Sequence, residues 1–126
     1  MALNNANNTH CIVVNVSSLT ADLEMPAMYC YKDLTVEGVA VQNGANIPAD
    51  NTNYVKFHLK NGSDIIASFD SRASANGALV NQEGKLMTVD AEKSTAFKGS
   101  SLVLVYDEEG SIGLTNASIT IWYKTK

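Results

Sequence analysis

The sequence predicts an all-β fold, an antiparallel two-sheet β-sandwich of jelly-roll-like topology with about 7–9 short strands. Three observations carry this expectation. No stretch sustains a 3.6-residue apolar repeat over the roughly 10–12 residues that an amphipathic helix needs. Short runs with alternating apolar and polar residues, or dominated by β-branched ones, recur instead at spacings of about 8–15 residues. Between them stand Gly, Pro, Asn and Asp, which supply the positive φ, fixed φ or local side-chain hydrogen bonds that turns require.

Residues 1–9 are polar and Asn-rich, offer nothing to bury, and are expected to form a flexible arm ahead of a single domain over residues 10–126. From His10 the pattern changes, with Ile12, Val14 and Val16 alternating against Cys11, Val13 and Asn15. A turn is expected around Pro26, followed by alternating stretches at Met28–Tyr31 and Leu34–Val41. In the second, Thr35, Glu37, Val39 and Val41 are expected on one face and Leu34, Val36 and Ala40 on the other. Residues 42–53 (QNGANIPADNTN) read as a loop. Tyr54–Lys60 then places Val55, Phe57 and Leu59 inward and Tyr54, Lys56, His58 and Lys60 outward. Asn61-Gly62 suits a type I′ turn, and the return strand is expected to bury Ile65, Ala67 and Phe69. Residues 72–99 hold only short apolar pieces, compatible with short strands or a single helical turn. Leu102–Tyr106 reads as a strand buried on both faces, and Ala117–Tyr123 sets Ile119, Ile121 and Tyr123 against Ser118, Thr120 and Trp122.

At 126 residues the chain has room for one domain and a core that needs no staple. Its surface is unusually neutral. Asn, Ser and Thr together number 33, against 9 basic and 13 acidic residues. A net charge of -4 and a single arginine, Arg72, offer no basic stripe to neutralise phosphates, so no nucleic-acid partner is expected. No apolar run approaches the roughly 20 residues that span a bilayer, and MALNNANNTH has the features of no secretory signal, so neither a membrane partner nor export by that route is expected. Cys11 and Cys30 lack metal-ligand spacing and read as two free thiols.

Nothing in the sequence supports catalysis. His58 stands between Lys56 and Lys60 on a polar strand face, with Asp64 the only carboxylate near it across the expected hairpin. His10 and Cys11 are adjacent in a strand and therefore face apart. Asp107, Glu108 and Glu109 lack the ligand alternation of a calcium loop and read as a solvated turn; Asp50 with Asn51 and Asn53 reads as turn capping. No cofactor or metal is expected. Tyr29 with Tyr31, and Trp122 with Tyr123, are candidates for a sugar-stacking surface, although single aromatics on sandwich strands more often serve core or interface.

The order of the pieces is itself informative: an Asn-rich arm, MPAMYCYKDLTVEGVAVQN, the NTNYVKFHLKNGSDIIASFDS hairpin, KGSSLVLVYDEEG and a closing ITIWYK strand. It resembles the small β-sandwich proteins of tailed bacteriophage virions, most of all the head decoration, or cement, proteins. The similarity is one of pattern and spans the chain from about Val36 onward. It implies a structural protein, not an enzyme, synthesised in the host cytoplasm and carried on the capsid surface of the virion. Such a protein binds the major capsid protein on the outside of the assembled lattice, commonly as a trimer, and braces the shell. The family supplies no fixed functional residue. Chemistry alone nominates Asn4, Asn5, Asn7 and Asn8 of the arm, with Tyr54 and Trp122 on one sheet face, as interface residues. The alternative expectation is a glycan-binding or tail-fibre or baseplate module of a virion.

Overall fold

The computed structural model describes residues 9–125. Ten strands run in chain order: β1 (Thr9–Ser17), β2 (Leu23–Tyr29), β3 (Leu34–Gln42), β4 (Tyr54–Asn61), β5 (Asp64–Asp70), β6 (Lys85–Leu86), β7 (Thr88–Val89), β8 (Thr95–Ala96), β9 (Ser101–Glu109) and β10 (Ala117–Thr125). There is no helix among the described residues. Two antiparallel sheets result. The first, sheet A, has the order β1-β10-β3-β6, with β8 also on β3; the second, sheet B, has the order β2-β9-β4-β5-β7. The pairing is nested: β1 with β10, β2 with β9, β3 with β6 and β8, β4 with β5. That is a ribbon doubled back once and rolled, the topology of a jelly roll.

The core lies between the sheets. Leu34, Val36, Val39, Val41, Ile119 and Ile121 face it from sheet A, and Val55, Phe57, Leu59, Leu102, Leu104 and Tyr106 from sheet B, each at most 1 % exposed. The Phe57 ring packs against Phe69 and Tyr106, with centroids 6.4 and 5.1 Å away.

Of four bulges among the described residues, three rearrange the expected alternation. In β3 the register with β10 shifts between Trp122 and Tyr123, so Glu37 becomes an extra, exposed residue. Leu34, Val36, Val39 and Val41 therefore all face inward, where strict alternation had divided them. In the β4–β5 hairpin Asn61 pairs with Asp64, leaving Gly62 and Ser63 as the central pair. Only Gly62 has positive φ, at 60°, the pattern of a type II′ turn and not the expected type I′ turn on Asn61-Gly62. This displaces the return strand by one residue. The register then shifts between Leu59 and Lys60, so that Ile66 is buried, Ile65 is 38 % exposed, and Ala67 and Phe69 still reach the core.

Pro26 does not end a strand. It sits inside β2, an edge strand, opposite Val103, with the third bulge between it and Met28. An edge position tolerates a residue without an N–H. Residues 72–99 contribute only the three two-residue strands. The β9 strand is half-buried on its outer face and extends through Glu109, so Asp107, Glu108 and Glu109 lie in a strand and not in a turn.

Candidate functional site

Sheet A presents its outer side chains in rows fixed by register. Cys11, Trp122 and Gly38 form one row. Val13, Thr120, Ala40 and Leu86 form the next, and Asn15, Ser118 and Gln42 the third. None of these ten residues is charged; the charges of this face, Lys124 in the row with Thr9 and Thr35 and the bulged Glu37, lie beyond the Trp122 row. The middle row is apolar at both ends, with Val13 60 % and Leu86 63 % exposed. The third row is hydroxyl and amide, where Ser118 Oγ donates to Gln42 Oε1 at 3.4 Å. It borders an open hollow of about 310 Å³ lined by Gln42, Asn43, Gly44, Gln82, Asn116 and Ser118.

Trp122 is half-buried, and its indole lies flat over Gly38. A Cβ at residue 38 would stand well inside contact distance of the ring atoms Cζ2 and Cε2. The glycine lets the ring lie down and keeps the face level. Asn43 anchors the loop end of this region: its Oδ1 accepts from Thr115 N and its Nδ2 donates to Ala45 O, both at 2.8 Å.

The outer face of sheet B has the opposite character. Its rows include Asp107, Lys56 and Asp70; Glu24, Val105, His58, Ser68 and Thr88; and Pro26, Val103, Lys60 and Ile65. Tyr54 belongs to this face, opposite Glu109. The Arg72 guanidinium stands 4.8 Å from its ring centroid and also donates through Nε to Asp70 Oδ2 at 2.9 Å. Burial works to raise the Asp70 carboxyl, but the hydrogen bonds and charge of Arg72, with the charge of Lys56, outweigh it and hold its pKa below the usual value. Tyr54 is thus engaged within its own chain.

The sequence-nominated residues are consequently separated. Trp122 and Tyr54 lie on the outer faces of opposite sheets, so they do not share one docking face. Asn4, Asn5, Asn7 and Asn8 lie outside the described residues, while Thr9, the last residue of the expected arm, is already paired with Lys124. Tyr123 faces inward, opposite in sense to Trp122, and stacks on His10 with ring centroids 5.4 Å apart. Burial, followed by the charge of Tyr31 and a hydrogen bond with it, raises the Tyr123 phenol. Tyr29 and Tyr31 are 64 % and 49 % exposed.

His58 stands between Val105 and Ser68 in the sheet register, and Asp64 pairs with Asn61 instead. Cys11 and Cys30 are free thiols, the first exposed and the second buried, and burial pushes the Cys30 thiol up. Asp50 Oδ1 accepts from Thr52 N at 2.6 Å and Asn53 N at 3.0 Å, a turn cap in which the N–H groups of Asn53 and Thr52 lower its carboxyl.

The signal that sequence reading missed is the pairing of Gly38 with Trp122 and the run of three adjacent uncharged rows on the outer face of sheet A. Each depends on register. No protein-family model matches the chain. No curated protein matches it in sequence.

Proposed function

We propose that this chain is a virion structural protein that docks on the outer surface of an assembled bacteriophage capsid, through the outer face of sheet A, and stabilises the shell. The observation that supports this reading most is the run of three uncharged rows across sheet A, set against the charged outer face of sheet B. Docking a charged face requires stripping water from ions, at several kcal/mol for each ion left poorly paired. Hydroxyls, amides and small apolar groups dock without that cost and hold their affinity as salt rises. A repeated lattice also lets modest contacts sum, since linked copies bind with far higher avidity than one.

Residues 1–8 continue from β1, a strand of the same sheet, and are the second element of the proposed contact. The test adds purified chain to heads that lack it and measures occupancy and the temperature at which DNA is lost. Saturable binding that raises this temperature supports the reading, and no binding at any salt concentration removes it. Deleting residues 1–8 reads the arm separately: unchanged occupancy would confine docking to the sheet.

The exposure of Tyr29 and Tyr31 favours one alternative, a glycan-binding module of a virion fibre or baseplate. Glycan-array binding that is lost on Tyr29→Ala would establish it in place of capsid docking.

A further inference from the structure

A two-sheet sandwich has four open edges, and three of these are blunted. On sheet A the far edge is formed by β6 and β8, two residues each; on sheet B it is β7, also two residues. The remaining edge of sheet B, β2, carries Glu24, Pro26 and a bulge. Short strands, charge, proline and bulges are the devices that stop edge strands from pairing with other chains. The β1 strand has none of them over its first seven residues. Thr9–Asn15 is uncharged, free of proline, rich in β-branched residues and regular until its bulge between Asn15 and Ser17. Among the described residues it pairs only with β10.

The side of the sandwich beneath this edge is also where the core is least covered. Among the described residues, nine partly buried hydrophobic ones pack on the core, and seven of them, Ile12, Val14, Leu19, Leu23, Met25, Ala27 and Met28, lie on β1, β2 or their connection. Open backbone and incomplete apolar cover therefore coincide on one wall.

We propose that a second copy of this chain covers that wall, through antiparallel pairing of β1 with the β1 of its mate about a two-fold axis at Ile12. The regular stretch Thr9–Asn15 is self-complementary in this register. Inward residues meet as Ile12 with Ile12 and His10 with Val14, outward ones as Cys11 with Val13 and Thr9 with Asn15. No charge opposes a like charge. Two copies of sheet A become one continuous sheet, in which the uncharged rows of Cys11 and Val13 run on into each other across the seam. A closed ring is disfavoured, because it would pair β1 with a different edge of the next copy, and the other three are short or interrupted. The chain's own residues 1–8 are the weaker occupant, since four of the eight are Asn, a poor strand former.

The experiment is sedimentation equilibrium on the full chain, and it involves no capsid, so its failure leaves the docking reading standing. The wild type is expected at twice the 13.5 kDa chain mass at about 100 µM. Val13 is 60 % exposed on the outer face, so Val13→Lys should keep the fold while weakening the dimer at least tenfold. An equimolar mixture of Val13→Lys and Val13→Glu should dimerise again. Val13→Cys, oxidised by glutathione disulfide, should give a covalent dimer linking residue 13 of one copy to Cys11 of the other, identified by mass spectrometry. A monomeric or trimeric wild type, a dimer indifferent to Val13→Lys, or a mixture that stays monomeric would overturn the proposal. A monomer whose β1 amides become exchangeable only on deletion of residues 1–8 would assign the edge to that segment.

Discussion

Replacing Gly38 by alanine tests whether the indole of Trp122 is held flat by the absence of one carbon. The new Cβ would meet Cζ2 and Cε2 of the ring, and Gly38 lies in β3 at a backbone geometry that alanine adopts without strain. Two terms then compete. Alanine is favoured over glycine in a strand by roughly 0.5–1 kcal/mol through lower chain entropy. Against this, the ring must lift. A tryptophan buries up to about 200 Å² when enclosed; for this half-buried ring, roughly 100 Å² at 25 cal/mol per Å² gives an upper bound of about 2.5 kcal/mol. The net cost is therefore about 1–2 kcal/mol, which at a urea m-value of roughly 1.5 kcal/mol/M moves the midpoint down by about 1 M. Trp122 is the sole tryptophan, so its emission should also shift to the red as the ring meets water. In a Trp122→Ala background, followed by circular dichroism, Gly38→Ala should be neutral or slightly stabilising, a coupling of about 2 kcal/mol. An equal cost of Gly38→Ala in both backgrounds would refute the reasoning.

Other outcomes follow from buried polar groups. Ser71→Ala should cost about 1–3 kcal/mol by urea titration, because fully buried Ser71 Oγ accepts the Val55 N–H at 2.9 Å and methyl cannot. Asn43→Ala, removing bonds to Thr115 and Ala45, should cost roughly 2–3 kcal/mol and raise hydrogen exchange at Thr115 N first. Burial, then the hydrogen bond from Tyr106 Oη to Glu108 Oε1 at 3.0 Å, raises the Tyr106 phenol far above its usual value. The unfolded chain thus ionises there first, so stability should fall as pH rises past about 10 and fall less steeply in Tyr106→Phe. The Asp70 carboxyl has a lowered pKa, so its contribution is present above about pH 4 and disappears as pH falls through the folded value. Asp70→Asn should lower the melting temperature at pH 7, and the gap to the wild type should narrow as pH falls below about 4.

The architecture was legible because alternation carries it. Residues 54–60 and 117–123 show one clean period of two, and both strands bury the residues that the period assigns. Two of the details that failed share one cause. At Glu37 and Ile66 an extra residue enters a strand, and a bulge leaves no compositional mark in a single sequence. The hairpin turn fell one residue later than its Asn-Gly pair suggested because Gly62 in the first central position satisfies a type II′ turn equally well. Pro26 reads as a breaker until β2 is known to be an edge.

The surplus of neutral polar residues was visible as a count, but a count has no face. Only the register shows that Thr120, Ser118 and Gln42 share the outer side of sheet A while Lys56, Asp70 and Asp107 share that of sheet B. It also places Tyr54 apart from Trp122.

The docking claim meets its most direct test in paired charge substitutions at the centres of the two outer faces, Thr120→Glu on sheet A and Ser68→Glu on sheet B, read by co-sedimentation with heads that lack the protein. Both positions are half-buried outer residues of central strands, so the folding cost is matched and melting curves provide the control. The expected result is that Thr120→Glu binds at least tenfold more weakly, while Ser68→Glu binds as the wild type does. Loss of binding by Ser68→Glu, with Thr120→Glu retained on the particle, would contradict the assignment of sheet A as the docking face.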